Sequence, residues 1–219
     1  GEYGAAYEVD IGRVHTEISE LVKAPLLTLS GFGKQDVTET GSSRFCPGQQ
    51  IIMTKWAGAA GAAELAYVNK RSLMKYFPAV YVDEAVEYLW EKTAGESLLS
   101  IEKEIKTAWD MGAGAFHNVT KNGVFGALWE MAEMSHAGLE VNFAAIPVRQ
   151  ESIEICEQYG VNLYETDSLG SVLIGAEHGE DLVRRLREEG IPAAIIGRVT
   201  DGNDRTICRG EETRFLTPP

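Results

Sequence analysis

The sequence predicts an α/β, or layered α+β, fold: a mixed sheet packed with helices. Three observations predict it. From residue 50 onward, short apolar or β-branched runs alternate with longer runs whose apolar residues recur every three or four positions. Glycines and prolines mark the junctions between these runs. The chain has 219 residues, 44% of them hydrophobic, enough for one large core or two small ones.

The elements follow in order. Residues 2–8 read as the end of a helix, and Val9 to Ile11 as a short strand. Ala24 to Gly33 is a leucine-rich strand closed by glycines, and the polar, turn-rich residues 34–48 read as a linker. The division is therefore 1–48, a first domain portion with its linker, and 49–219, the larger domain. Gln50 to Trp56 is a strand. The small residues Ala57 to Ala63 suggest close packing or a tight turn, and no Gly-Lys-Ser/Thr triplet makes them a phosphate loop. A helix is expected from Ala62 to Phe77, stopped by Pro78. Two more are expected over Val82–Lys92 and Leu98–Trp109, the second with Leu98, Ile101, Ile105 and Trp109 at helical spacing. Beyond the central helix, strands are expected at Leu139–Phe143, Ser171–Ala176 and Ala193–Val199. Helices are expected at Ser152–Tyr159 and Glu180–Glu189, the latter with Leu182, Val183 and Leu186 inward. Asp201 to Asp204 reads as a hairpin turn, with edge strands at Arg205–Arg209 and Thr213–Leu216.

The chain is organised around residues 115–134. Ala115 to Val119 is a strand end, Thr120 to Gly123 supply turn chemistry and side-chain oxygens able to cap a helix, and a long apolar helix follows. Val124, Leu128 and Met131 form one line of that helix, and Phe125, Trp129 and Ala132 the next. A turn that feeds a helix start presents unpaired N–H groups and the positive end of a dipole, hence a natural anion site. Lys121 would add a full charge. A plain buried strand–helix corner with a satisfied His117 is the competing reading.

Composition narrows the partners. With 33 acidic and 20 basic residues the formal charge is −13, which disfavours nucleic acid and anionic membrane surfaces. A small anionic ligand or nucleotide would need a local positive site or a metal. Lys70, Arg71 and Lys75 make a modest basic cluster, read as a solvated helix face. No apolar run approaches the roughly 18 residues of a membrane helix. Cys46, Cys156 and Cys208 lie far apart without a CxxC pair, which points to reduced thiols in the cytoplasm.

The run His117, Asn118, Val119, Thr120, Lys121, Asn122, Gly123 resembles the His-Asp-x-Thr-x-Gly-Gly signature of the C-terminal domain of the AIR synthase-related superfamily, with Asn118 at the acidic position and Asn122 at the first glycine. Gly126 to Met131, Ile146 to Arg149 and Ile191 to Val199 continue the likeness, and Asp167 to Ser171 resembles the family's Ser-Ser-Gly-Ser/Thr corner. His15 and Thr16 resemble the Gly-Gly-(His/Asp/Glu)-Thr motif of the family's N-terminal domain, although Arg13 and Val14 stand where glycines are expected. The leucine strand at Ala24 to Gly33 is similar to the last long strand of that domain.

The resemblance implies a remnant of the nucleotide-binding, dimerising N-terminal domain before an AIR synthase-like C-terminal domain. It implies ATP and Mg2+ as cofactors, a homodimer, and His117, Thr120, Lys121, Gly123, His15 and Thr16 as cofactor-binding residues. The family's metal-holding aspartates come from strands that would precede this sequence, so no metal ligand is assigned. Three readings stay open. The first is a protein derived from ATP-dependent enzymes, of the ligase, cyclo-ligase or phosphoryl-transfer type, acting on phosphorylated or acyl substrates with activity reduced or lost. The second is a non-catalytic dimerisation or ligand-binding module. The third is a truncated fragment of a hydrogenase-maturation-factor-like enzyme.

Overall fold

The computed structural model describes residues 12, 14–18, 23–32, 44–93 and 96–219. The chain divides into two compact units, Gly1–Val37 and Thr38–Pro219. In the first unit the described residues are exposed, and residues 25–32 carry no regular secondary structure. The strand expected at Ala24–Gly33 is thus not formed over its described part. A strand is made by its ladder, and among the described residues none pairs with it, so Leu26, Leu27 and Leu29 stay exposed. The expected elements within residues 2–11, as well as Arg13 and Gly33, lie outside the described residues.

The second unit carries a seven-stranded mixed sheet in the order β4-β6-β1-β7-β5-β8-β9. Its strands are β1 (Gln50–Thr54), β4 (Ala115–Val119), β5 (Gly138–Asn142), β6 (Ser171–Ala176), β7 (Ala193–Thr200), β8 (Arg205–Arg209) and β9 (Glu212–Phe215). All neighbours are antiparallel except β5 and β8. A separate pair, β2 (Lys92–Thr93) and β3 (Glu96–Ser97), forms a two-stranded ribbon. The helices are α1 (Ala59–Leu73), α2 (Ala79–Glu87), α3 (Glu102–Asp110), α4 (Gly123–Ser135), α5 (Gln150–Gln158) and α6 (Gly179–Glu188).

Strand alternation distributes the core. On one face Ile51, Met53 and Leu173 meet Val124, Leu128 and Met131 of α4. On the other, Ile52, Val172 and Ile174 meet Leu182, Val183 and Leu186 of α6 and Ala108 of α3. A sheet covered on both faces explains why β1 and β6 read as continuous apolar runs. A further layer of α1, α2 and α5 closes on Ala66, Leu73, Val82, Ala85 and Ile155. Phe45 enters the first core, and the amide of Gly48 bonds to Val199 O at 3.0 Å, so residues 44–48 pack as part of the larger unit.

Two expectations are corrected here. Asp201 to Asp204 is not a hairpin turn: β7 and β8 both flank β5, so the turn passes over the end of β5. Gly138 permits this, since a Cβ there would lie 2.5 Å from Thr200 Oγ1 and 2.8 Å from Asp204 O. The expected helix at Leu98–Trp109 begins only at Glu102. The carbonyls of Leu98 and Ser100 accept from the Lys55 ammonium, and the Ser97 and Ser100 hydroxyls accept from the amides of Leu99 and Glu102. Backbone groups spent in this way cannot extend a helix.

Candidate functional site: the turn between β4 and α4

β4 ends at Val119 with its register fixed on β6, Val119 opposite Ser171. The chain turns through Thr120, Lys121 and Asn122 and enters α4 at Gly123. The Thr120 carbonyl accepts from the amides of Gly123 at 2.9 Å and Ser168 at 3.4 Å. Gly123 has φ 63°, and a Cβ there would lie 2.3 Å from the carbonyl oxygen of Tyr164. That position therefore admits only glycine. The 3₁₀ turn Leu163–Glu165 lies across it.

Asn122 occupies the N-cap of α4, but its side chain makes no cap bond. This corrects the expected capping role. The Asn122 amide nitrogen instead donates to Glu130 Oε1 at 3.2 Å, while Glu130 Oε2 lies 3.1 Å from His117 Nε2. One carboxylate on α4 therefore holds the strand histidine and the cap asparagine together. The Gly126 amide bonds to Asn122 O, and among the described residues nothing accepts from the amides of Val124 and Phe125. Lys121 is exposed and has no acid partner among the described residues. Two free amides, a helix dipole and an ammonium thus share one corner, an arrangement that favours an oxyanion. No described helix is long and apolar enough to cross a membrane.

The structure brings His117, Thr120, Lys121 and Gly123 together, with His117 turned to Glu130. His15 and Thr16 lie exposed in the first unit. The neighbouring Asp167–Ser171 turn is spent on the protein itself. The Ser168 hydroxyl accepts from Gly58 N at 2.7 Å, the Asp167 carbonyl accepts from Gly61 N at 2.8 Å, and the Ser171 hydroxyl donates to Trp56 O at 3.1 Å. The first two of these bonds engage amides at the start of α1, and the third holds Trp56 just before it.

The sequence reading overlooked Lys55 and Glu104. Lys55 is 1% exposed, and its ammonium sits 2.6 Å from Glu104 Oε1, 2.9 Å from Leu98 O and 3.0 Å from Gly170 O, with Ser100 O a further acceptor. It ties the end of β1 to α3 and to the turn beside Thr120. A lysine closing the apolar run Ile51, Ile52, Met53 was the available signal, because lysine is almost never buried without a partner. Arg149, within a motif-like run, is also structural: its guanidinium lies 5.1 Å from the Trp56 ring and 5.5 Å from the Tyr88 ring and pairs with Glu91 and Glu151. Lys70 pairs with half-buried Asp83 at 2.5 Å.

This sheet and its glycine-entered helix are those of a known domain class. The family model "AIR synthase related protein, C-terminal domain" matches residues 47–208, and the chain belongs to that family. The chain is 27% identical over 114 residues to the phosphoribosylformylglycinamidine synthase subunit PurL of Methanopyrus kandleri, covering 52% of this chain and 14% of that protein. It is 23% identical over 204 residues to the selenide, water dikinase of Methanococcus maripaludis, covering 86% of this chain and 58% of that one. The crystal structure of the hydrogenase maturation protein HypE in complex with ATP superposes with a TM-score of 0.62 at 20% identity, over 82% of this chain and 53% of that one. The chain thus spans only part of the length of each of these relatives, and the structural likeness defines the shared fold.

Proposed function

We propose that this chain binds a nucleotide or other phosphorylated ligand at the start of α4, as a member of a family with ATP-binding relatives. The observation that carries the proposal is the pair of amides at Val124 and Phe125 beside Lys121, all without a partner among the described residues, in a chain whose formal charge is −13. Thr120 would contribute its hydroxyl, Gly123 the close backbone approach, and His117 a ring nitrogen released from Glu130. By the same family resemblance, His15 and Thr16 of the first unit are proposed as cofactor-binding residues in their own right. Among the described residues no three His, Cys, Asp or Glu side chains come together as a metal site, so the described carboxylates do not fit a protein cage for Mg2+. Mg2+ would enter with the nucleotide.

In the active form of this reading, the protein is a cytoplasmic homodimer derived from ATP-dependent ligases, cyclo-ligases or phosphoryl-transfer enzymes, with a phosphorylated or acyl substrate. A second reading, a ligand-binding module without turnover, is favoured by one observation: Glu130 occupies both His117 and Asn122, two of the motif positions.

Calorimetric titration with ATP and with inorganic phosphate tests the binding proposal. Lys121→Ala is expected to weaken either ligand by about tenfold, the loss of one charge-assisted contact. Unchanged affinity removes Lys121 from the site. Release of phosphate from ATP by the wild-type chain would separate the active reading from the non-catalytic one.

A further inference from the structure

We propose that the cavity between β8, β9 and the first turn of α4 binds a flat, anionic small molecule: a ring bearing a carboxylate or phosphate and at least one N–H donor. The cavity has a volume of about 290 Å³. That is near the lower end of small-molecule sites, roughly 300–1,000 Å³, and suits one ring system better than a nucleoside triphosphate. Phe125 and Phe143 line it, Ile207 and Leu216 add aliphatic surface, and Phe215, 71% exposed, also contributes. Tyr164 braces the two inner rings. It stacks on Phe125 at 5.3 Å between centroids and meets Phe143 at 4.6 Å. Rigid rings lose little freedom on binding, so a planar ligand gains most of the contact.

The charges define the ligand further. Two arginines line the cavity. Arg214 is held by Glu212, through bonds of 2.8 Å and 2.6 Å to one oxygen. Arg209 has no acid partner among the described residues, and its guanidinium lies over the Phe143 ring at 5.4 Å. Burial raises the Tyr164 hydroxyl pKa, and the Arg209 charge opposes that rise. A guanidinium beside aromatic rings, with no acid partner among the described residues, is suited to the carboxylate or phosphate of a stacked ring. Glu165 also lines the cavity without a cation partner among the described residues, and it can accept from an N–H group of the ligand.

This inference does not rest on the anion corner. The corner uses Lys121 and backbone amides, whereas the cavity uses Arg209, Glu165 and ring faces. The test is a methyl-detected NMR titration of the full chain with 4-aminobenzoate, benzoate, aniline and inorganic phosphate. 4-Aminobenzoate is expected to shift the Ile207 and Leu216 methyl signals saturably, with benzoate weaker and aniline and phosphate each weaker still. Arg209→Ala is expected to weaken 4-aminobenzoate about tenfold, Arg209→Lys to retain part of the affinity, and Lys121→Ala to change nothing. Unmoved Ile207 and Leu216 signals up to about 10 mM, or binding untouched by Arg209→Ala, would overturn the site. Equal affinity for benzoate would remove Glu165 from it, and equal affinity for phosphate would remove the rings. Unchanged Ile51 and Leu128 methyl signals report that each variant is folded.

Discussion

Replacing Lys55 by methionine is expected to destabilise the chain by about 3–5 kcal/mol, the cost of leaving one member of a buried ion pair uncompensated. Lys55 is 1% and Glu104 2% exposed, so water cannot take over the abandoned carboxylate. Three backbone carbonyls, those of Leu98, Ser100 and Gly170, lose their donor in the same step. Methionine matches the length of the lysine stem, which keeps cavity formation out of the measurement. For a chain of this size, each kcal/mol moves the melting temperature by about 2–4 °C, so a drop on the order of 10 °C is expected. The double variant Lys55→Met/Glu104→Leu should recover part of the loss, because it removes the stranded charge but not the stranded carbonyls. Urea unfolding of the single variant within about 1 kcal/mol of wild type would mean that Lys55 is not the tie described here.

Gly123→Ala is expected to cost about 3 kcal/mol or more, from two causes that can be separated. A left-handed backbone costs a residue with a Cβ about 1–2 kcal/mol. The added Cβ would also lie 2.3 Å from Tyr164 O and 2.7 Å from Glu165 Cα, backbone atoms that must then move. Gly112→Ala isolates the first cause, since Gly112 has φ 86° with nothing within 4 Å of the new Cβ. That control is expected to lose about 1–2 kcal/mol. Equal losses for the two variants, measured by urea unfolding, would mean that the Leu163–Glu165 turn yields freely and does not fix the entrance to α4.

Much of the fold was legible because local pattern and tertiary role agree. β4, β6 and β8 are found with the ends read from the sequence, and α6 shows its inward triad Leu182, Val183 and Leu186. What escaped was decided by contacts distant in sequence. The helix expected from Leu98 is held off by a lysine 43 residues away. The turn at Asp201 reads locally as a hairpin, and only the insertion of β5 between β7 and β8 makes it a crossing. The leucines near residue 26 have strand propensity, yet no described neighbour completes a ladder.

For the candidate site, the motif identified the corner because its residues are consecutive. It could not identify Glu130, 13 residues from His117, as the group that engages the histidine. Arg209 and Glu165 carry no motif at all. Their relation exists only once β8 and the 3₁₀ turn meet around Phe143.

The most direct measurement is the amide spectrum of isotopically labelled protein during addition of ATP. Saturable shifts of the Val124 and Phe125 amides, weakened about tenfold by Lys121→Ala, are the expected result. Val124 and Phe125 amides that stay in place while ATP is raised to millimolar levels would contradict an anion site at the start of α4.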